Sequence, residues 1–364
     1  MRFKIIFLCL ISYLSSCVSK YDNNFEQEYE LDYTFLKDIF LNNPQVEVMD
    51  SFLILLSHTE NEKVCNFFSI EDNYKEIGNY GKIGNGPYEF KQPILTYANG
   101  STFGINDIND MTLSIMKIMN RDTFMIREQV RLKAPYLIKK NEYVPKCTHF
   151  RLIGKRNYVS TSYVEDGKMF MLSDSLLQPI SFFGDSPIVD ELSMMMMRNR
   201  LQGHITTFQN CFVYGCTDLP YLAFYQLNND KMEKKWDMFY KKEFYEVSNK
   251  DLKFYKDKST GPLLDLRMDS KYIYALYMDQ LLSEYDYYRT DKSCSNKIYV
   301  FDYNGEKVAC LNLNCRLSKI AVDNKKHKIY GISHLPDYSL VVFNIPNELL
   351  SPNTHSIERN QFGK

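Results

Sequence analysis

The sequence alternates hydrophobic and polar positions over short stretches that are separated by turn residues. In six segments, a hydrophobic stretch of strand length is followed by a polar turn and by a second hydrophobic stretch that ends in small or hydroxyl residues. This pattern is typical of a β-hairpin, and its turns recur every 49 to 60 residues. The six predicted hairpins occupy residues 46–58, 95–107, 150–163, 204–217, 264–278 and 319–334.

A second kind of hairpin is predicted between several of these segments. Its clearest turn is Asn304-Gly305, because Asn and Gly adopt the positive φ angles of tight hairpin turns. Two hairpins per repeat form a four-stranded antiparallel sheet, and six such sheets around an axis form a β-propeller. The sequence therefore predicts an all-β fold, a six-bladed β-propeller of four-stranded antiparallel blades. The second hairpins are predicted at residues 65–81, 169–185, 222–240 and 298–313.

Closure of the predicted ring depends on the N-terminal segment. The last repeat contains three predicted strands before Pro346, so its four-stranded blade needs one more strand from elsewhere in the chain. Residues 28–35 have strand character, and we expect this N-terminal strand to complete the last blade. The alternative is a short helix or an unpaired arm over residues 24–40. The predicted propeller spans residues 28–346, and a polar tail follows at residues 347–364.

Composition narrows the class of protein. Of the 364 residues, 45% are hydrophobic and 24% are charged, and the net charge is -1. These values are ordinary for a globular chain and argue against a disordered protein or one with several membrane spans. The chain also lacks the basic excess expected of a protein that binds nucleic acid.

The N-terminus predicts where the protein is located. Residues 1–16 have the layout of a secretory signal, with two basic residues before a hydrophobic run that is too short to span a bilayer. The run ends in Leu14-Ser15-Ser16-Cys17, which resembles the lipobox of bacterial lipoproteins. We therefore expect a lipid on Cys17, followed by a polar tether within residues 17–27. The alternative is a plain signal peptide with an unrelated cysteine.

Seven cysteines remain after Cys9 and Cys17 are set aside, and an odd number cannot all pair within one chain. Two pairs are each five residues apart, and neither has the C-x-x-C spacing of zinc or redox sites. Cysteines of this kind are typically buried in strands, so we expect no metal site and no cofactor.

A glycine-rich segment at residues 81–90 carries a family resemblance. It reads Gly81-Lys-Ile-Gly84-Asn-Gly86-Pro87-Tyr-Glu89-Phe90 and resembles the Gly-x-Gly-Pro-x-Glu-Phe signature of TolB-like six-bladed propeller lipoproteins of Gram-negative envelopes. The resemblance implies a fold and a location but no activity. The segment lacks the Lys-Ser/Thr of a phosphate-binding loop. We expect Glu89 to accept backbone hydrogen bonds at a blade crossing rather than to act as a catalytic acid.

Four basic side chains are candidates for a central site: Arg151, His204, Arg267 and Lys319. Each lies at or near the start of a predicted inner strand, where a side chain can reach the central channel. They are interpreted either as contacts to an anion or other ligand, or as a solvated channel lining. The aspartates of these repeats, including Asp265, are expected to lie in turns. No local motif of a serine hydrolase or of a zinc metallopeptidase is present, so no catalytic residue is predicted.

Residues 229–260 form a second candidate patch in which lysines and aromatic residues alternate. Trp236 and Tyr240 are its candidate ligand contacts, since aromatic rings stack on flat ligands and cations. The alternative is an outer strand of the fourth blade with exposed edge lysines. The run of methionines at residues 194–197 is expected to fill a core position, with an adaptable binding surface as the alternative.

Three functions are consistent with these features. The first is a non-catalytic envelope lipoprotein whose propeller binds a glycan, a peptide or a partner protein. The second is a hydrolase or lyase with its site at the central channel, and the third is a structural component of an envelope complex. Val18 follows Cys17 without the Asp that can retain lipoproteins at the inner membrane, so the outer membrane is expected. The sequence identifies neither the ligand nor the membrane face.

Overall fold

A computed structural model of the chain describes residues 25–39, 44–57, 63–86, 89–120, 124–133, 148–162, 167–188, 192–242, 244–286, 293–334 and 338–350. The described residues form 26 strands and two short helices. The first eighteen strands are β1 (Gln27–Leu31), β2 (Thr34–Asp38), β3 (Gln45–Met49), β4 (Phe52–Leu56), β5 (Lys63–Ser69), β6 (Lys75–Lys82), β7 (Pro93–Asn99), β8 (Thr102–Asp107), β9 (Thr112–Asn120), β10 (Met125–Lys133), β11 (Thr148–Ile153), β12 (Asn157–Thr161), β13 (Phe170–Ser173), β14 (Pro179–Phe183), β15 (Gly203–Phe208), β16 (Cys211–Cys216), β17 (Tyr221–Asn228) and β18 (Lys231–Phe239).

The remaining elements complete the C-terminal part of the chain. The strands are β19 (Tyr245–Ser248), β20 (Asp251–Phe254), β21 (Thr260–Met268), β22 (Tyr272–Leu281), β23 (Ser295–Asp302), β24 (Lys307–Asp323), β25 (Lys328–Ser333) and β26 (Ser339–Asn344). The helices are α1 (Met194–Arg200) and α2 (Asn347–Leu350). Helix α2 begins the predicted polar tail, of which residues 351–364 lie outside the described residues.

Four sheets of four antiparallel strands follow one another along the chain: β3 to β6, β7 to β10, β11 to β14 and β15 to β18. Each is a meander in which consecutive strands pair, so its two hairpins supply all four strands. The predicted first hairpin is present in each of these sheets. The protein is therefore an all-β propeller with four-stranded antiparallel blades.

The six C-terminal strands β21 to β26, together with the N-terminal strands β1 and β2, form one larger sheet of eight strands. Its central member, β24, has 17 residues and pairs with β23 through residues 307–312 and with β25 through residues 319–323. The two remaining predicted first hairpins, β21–β22 and β24–β25, belong to this sheet.

Six strands contact one another in a closed cycle at the centre of the fold. In cyclic order they are β3, β7, β11, β15, β21 and β24, and β24 contacts β3 again. Each begins one of the six first hairpins, which explains why residues far apart in the sequence meet around a single axis.

The hydrophobic core lies between neighbouring sheets. One cluster joins Leu53 and Leu55 of β4 to Tyr330 and Ile332 of β25, and these side chains are almost fully buried. Clusters of the same kind join each other pair of neighbouring sheets around the cycle. One more cluster lies between the two halves of the eight-stranded sheet. The sheets pack face to face and meet solvent mainly at their outer strands. The stability of the fold therefore depends on the packing between neighbouring sheets.

The N-terminal segment differs from the prediction. The structure has two strands where one strand over residues 28–35 was expected. β1 lies parallel to β24, with Gln27 opposite Ala309, whereas β2 pairs antiparallel with β26, with Thr34 opposite Val342. The predicted bounds of the N-terminal strand were wrong, because the chain bends after β1 and divides the segment into two strands. Its acidic, alternating sequence is compatible with pairing at either place.

Two further features were not predicted. β9 and β10 form the outer hairpin of the second sheet, although no second hairpin was expected there. β19 and β20 form a separate two-stranded sheet within residues 229–260, which explains the unusual length of that connection. β18 is the outer strand of its sheet, in agreement with the alternative reading of the lysine-rich segment.

The glycine-rich segment forms a tight turn after the first sheet. The Glu89 carboxylate accepts a hydrogen bond from the Gly86 amide at 2.8 Å, which confirms the expected backbone-binding role of Glu89. A Cβ atom on Gly84 would lie 2.0 Å from Glu89 Oε2, so a side chain at this position would have to displace the Glu89 carboxylate. Phe90 is buried in the core between the first two sheets. Pro87 lies outside the described residues.

The methionine run begins helix α1, whose N-cap Ser193 accepts a hydrogen bond from the Met196 amide. Met197 is buried in the core, as expected, while Met195 is 69% exposed.

Cys65, Cys216 and Cys310 lie buried in strands, which agrees with the prediction. Cys9, Cys17 and Cys147, like the predicted signal at residues 1–16, fall outside the described residues. In the described ranges, no helix has the length and hydrophobicity needed to cross a membrane.

Candidate binding site at the central channel

The four predicted basic residues lie on four different strands of the central cycle: Arg151 on β11, His204 on β15, Arg267 on β21 and Lys319 on β24. Their charges interact: Arg267 acts on Arg151, and Lys319 acts on His204. Each side chain keeps part of its surface accessible to solvent. The structure therefore brings the four residues together around the central channel.

Arg151 spans three neighbouring strands. Its Nε donates a hydrogen bond to the Ile205 carbonyl at 3.1 Å, and another guanidinium nitrogen donates to the Leu95 carbonyl at 3.3 Å. Burial lowers the pKa of Arg151 to about 10, and the charge of Arg267 acts in the same direction. The guanidinium still carries its positive charge at neutral pH and is held by neutral carbonyl groups.

Arg267 reaches past the neighbouring strand β24 to β3, the next strand of the cycle. It donates to the Val46 carbonyl at 3.3 Å, and its guanidinium lies 3.9 Å from the Glu47 carboxylate. A closer ion pair, at 3.0 Å, joins it to Asp265. Burial alone would lower the pKa of Arg267, but the charges of Asp265 and Glu47 outweigh it and raise the pKa.

Asp265 is the principal carboxylate of the channel. It accepts hydrogen bonds from the amides of Ile320 and Leu266, both at 2.9 Å, so it connects β21 to β24. Burial would raise the pKa of Asp265, but the charges of Arg267 and Lys319 keep it below its usual value. The expectation that Asp265 lies in a turn was wrong, because the residue lies within β21 with its side chain buried.

The remaining groups of the channel are Lys319 and two histidines. Lys319 Nζ donates to the Leu264 carbonyl at 3.0 Å, and burial lowers the pKa of Lys319. Burial also lowers the pKa of His204 to about 3 and that of His149 to about 4, with positive neighbours adding to the effect. Both imidazoles are therefore neutral at pH 7.

A third histidine, His334, lies beside this group and directly follows the last residue of β25. His334 Nε2 and Ser318 Oγ are 2.6 Å apart, and the ring packs on Tyr338 with centroids 4.2 Å apart. Burial and the charge of Lys319 lower the pKa of His334 to about 4. His334 Nδ1 and Arg267 Nε are buried and have no hydrogen-bond partner among the described residues.

Three charged or titratable residues of the channel were not predicted: Glu47, His149 and Asp265. Asp265 and Arg267 are two residues apart on one strand, a spacing that directs side chains to the same face. That spacing is the signal by which Asp265 could have been recognised. His149 lies at the beginning of β11, next to a segment with no strand pattern, so nothing in the sequence singled it out.

The two aromatic candidates of residues 229–260 lie away from the channel. Trp236 stacks on Phe224 with ring centroids 5.5 Å apart, and its indole nitrogen donates to the Tyr303 carbonyl at 2.9 Å. Tyr240 is 2% exposed and packs against Tyr277. Both rings contribute to the core between the fourth sheet and the large C-terminal sheet.

The channel can attract and hold an anion. Three cationic side chains face two carboxylates, and the neutral imidazoles add hydrogen-bonding groups without adding charge. In the described part of the chain, no group of three or more His, Cys, Asp or Glu side chains is arranged to hold a metal ion. These features define a β-propeller in which cationic side chains outnumber carboxylates on the central strands.

Several solved structures are similar to this chain. A crystal structure from Bacteroides fragilis NCTC 9343, of a protein proposed to be exported, matches with a TM-score of 0.52 and 12% identity, over 87% of this chain and 98% of the other. The β-propeller domain of Cps50 (Swd1) from Myceliophteria thermophila matches with a TM-score of 0.45 and 10% identity, over 83% of each chain. U3-55K matches with a TM-score of 0.49 and 7% identity, over 86% of this chain and 98% of the other. No protein-family model and no curated protein sequence matches this chain.

Proposed function

We propose that this protein is an exported, lipid-anchored β-propeller of six blades that binds an anionic ligand at its central channel and does not catalyse a reaction. The observation that carries the proposal is the excess of positive charge at the channel, where Arg151, Arg267 and Lys319 face Asp265 and Glu47. The ligand classes that fit are acidic glycans and acidic peptides or protein segments.

The six blades are inferred from the central cycle and the long strand β24. Six strands alternate with six core clusters around the axis. Division of the eight-stranded sheet within β24 gives a fifth blade of β21 to β23 with the first part of β24. The sixth blade then contains β25, β26, the last part of β24 and, as its outermost strand, the N-terminal strand β2.

An anion is favoured because, among the described residues, Asp265 and Glu47 offset only part of the positive charge of Arg151, Arg267 and Lys319. Arg151 is held by backbone carbonyls, so its charge has no carboxylate within hydrogen-bonding distance among the described residues. A charge in a partly buried site interacts more strongly than one in bulk water. A bound carboxylate, sulfate or phosphate would therefore balance the channel and provide an acceptor for the unpartnered Arg267 Nε.

A binding role is favoured over acid–base catalysis by the pKa values of the channel groups. Efficient general acids and bases have pKa values near the working pH. The pKa values of His204 and His149 are lowered to about 3 and about 4, and the pKa of Asp265 is lowered as well. At neutral pH these groups keep one protonation state, which suits a fixed electrostatic site.

Ligand binding can be tested by thermal shift with the purified protein. The probes are uronate-containing oligosaccharides and acidic peptides, each compared with a neutral counterpart of the same size. We expect an acidic probe to raise the unfolding midpoint, because a ligand that binds only the native state stabilises it by mass action. Lys319→Met should abolish the shift, while Lys253→Met, which removes an exposed lysine of β20, should leave it unchanged.

Two results would contradict the proposal. Equal shifts from acidic and neutral probes would remove the electrostatic argument, and formation of a new product during incubation would favour the hydrolase or lyase alternative. The anchor is tested separately: Cys17→Ser should release the protein from the membrane fraction of cells that express it. Retention of this variant in the membrane fraction would argue against lipidation at Cys17.

A further inference from the structure

A second polar cavity lies on the side of the propeller, away from the central channel. Its volume is about 380 Å³, within the usual range of small-molecule sites. Its walls come from the segment after β18, from the fifth-blade strands β21 to β24 and from the chain before and within β1. We call this cavity the lateral pocket.

Four lysines line the lateral pocket, and two carboxylates accompany them. Asp279 forms ion pairs with Lys241 and with Lys297, the latter at 3.1 Å. Burial would raise the pKa of Asp279, but its hydrogen bonds and charge interactions with these two lysines lower it. One carboxylate thus holds two ammonium groups in place on the inner wall.

The other two lysines have no carboxylate partner among the described residues. Lys242 Nζ lies 5.0 Å from the centre of the Phe244 ring, and Lys258 Nζ lies 5.4 Å from that of Tyr255. Both side chains are exposed at the mouth of the pocket. Among the described residues of the wall, the four lysines outnumber Asp279 and Glu28 and leave an excess of positive charge.

Aromatic rings form the rest of the wall. Phe25 packs on Tyr299 with ring centroids 4.5 Å apart, and Phe244 lies at the mouth. Rings of this kind provide flat apolar surfaces for a ligand ring, while polar groups at the edge fix its orientation. The lateral pocket therefore combines a surface for a ring with ammonium groups for an anion.

We propose that the lateral pocket binds an anionic monosaccharide unit, a sugar ring that carries one phosphate or carboxylate group. The ring packs against Phe25 and Phe244, and the anion contacts Lys242 and Lys258. Asp279 is available to accept hydrogen bonds from sugar hydroxyl groups. The volume admits one or two sugar rings but excludes a longer chain from the interior.

The ligand class is tested by calorimetric titration of the full-length protein with four probes: glucose 6-phosphate, glucuronate, glucose and inorganic phosphate. We expect at least one of the two anionic sugars to bind at least ten-fold more tightly than both glucose and inorganic phosphate. Binding of phosphate as tight as that of glucose 6-phosphate, in the absence of glucuronate binding, would overturn the role of the ring. Failure of both anionic sugars to bind would overturn the proposal.

The place of binding is tested with variants at exposed positions, which leave the core intact. The double variant Lys242→Met/Lys258→Met should weaken binding of the anionic sugar at least ten-fold. The matched control Lys234→Met/Lys235→Met removes two lysines of β18 that pair with Asp237 and Glu233 outside the pocket, and it should bind normally. Equal affinity of both double variants would overturn the assignment.

The lateral pocket and the central channel are distinguished by a single exchange. Lys319→Met should leave binding of the anionic sugar unchanged, because Lys319 lies in the channel. If this variant alone lost binding, the anionic sugar would belong to the channel, and the lateral-pocket proposal would be wrong while the channel proposal stood.

Discussion

Gly84 and Glu89 show how single residues fix the turn after the first sheet. The Glu89 carboxylate occupies the space that a side chain at Gly84 would need, and it is held there by the Gly86 amide. The turn is therefore specified by one carboxylate and two glycines acting together.

Gly84→Ala is expected to lower the free energy of unfolding by about 1–3 kcal/mol, because the new Cβ atom must displace the Glu89 carboxylate. Urea denaturation measures this cost. In the Glu89→Ala background the same exchange should cost much less, since the overlapping group is absent. An equal cost in both backgrounds would show that Glu89 is not the obstacle.

At the residue scale, the sequence predicted the cations of the channel but not their partners. Arg151, His204, Arg267 and Lys319 were found because each belongs to one of the recognisable first hairpins, although Arg267 lies near the end of β21 and Lys319 lies within β24 rather than at the start of a strand. Asp265 was assigned to a turn, although its spacing of two residues from Arg267 places both side chains on one face of a strand. Glu47 was not found, because nothing in its local sequence distinguishes a carboxylate that pairs with a distant strand. Pairing of this kind depends on tertiary contacts between strands more than 200 residues apart.

At the scale of elements, the inner hairpins were predictable and the sheet boundaries were not. Each inner hairpin has its own polar turn and alternating flanks, so its signal is local. β24 was expected to be two strands, yet residues 314–318 contain neither Gly nor Pro, and the chain continues from one pairing partner to the next. In the lateral pocket, Lys241, Lys242 and Phe244 belong to the predicted patch, whereas Phe25 and Lys297 come from distant elements.

The N-terminal strands are expected to contribute to stability through β2. Removal of residues up to 39 deletes the strand on β26 and the buried Ile39, and it leaves the β26 edge unpaired. Compared with a variant that begins at residue 25, we expect a melting temperature lower by at least about 5 °C, because burial of a few apolar side chains is worth several kcal/mol.

A third variant, beginning at residue 33, separates the two strands. It lacks β1 but keeps β2, so it should melt closer to the variant that begins at residue 25. If the variant that begins at residue 40 melted at the same temperature as the longest one, the pairing of β2 with β26 would have no role in stability. Differential scanning calorimetry measures all three.

For the whole molecule, the buried histidines predict how stability depends on pH. The pKa values of His149, His204 and His334 in the folded state are about 4, 3 and 4, below the usual value of about 6.5. At pH values between about 6.5 and 4, these histidines bind protons in the unfolded chain but stay largely neutral in the folded chain. Stability is therefore full above about pH 6.5 and decreases as the pH falls toward 4.

His204→Gln should flatten this dependence, because it removes one group that takes up a proton on unfolding. The slope of unfolding free energy against pH should decrease by up to about 1.4 kcal/mol per pH unit between pH 6 and 4. Urea denaturation at several pH values measures the slope. His327→Gln, at an exposed turn, is the matched control, and an equal effect of both exchanges would refute the role of burial.

Phe25, the first described residue, lies against Tyr299 at the lateral pocket. Only seven residues lie between it and Cys17, and a fully extended chain over these eight residue steps reaches at most about 29 Å. A lipid on Cys17 would therefore hold the lateral pocket in a thin layer of solvent beside the membrane. Its ligand would then be captured from that layer.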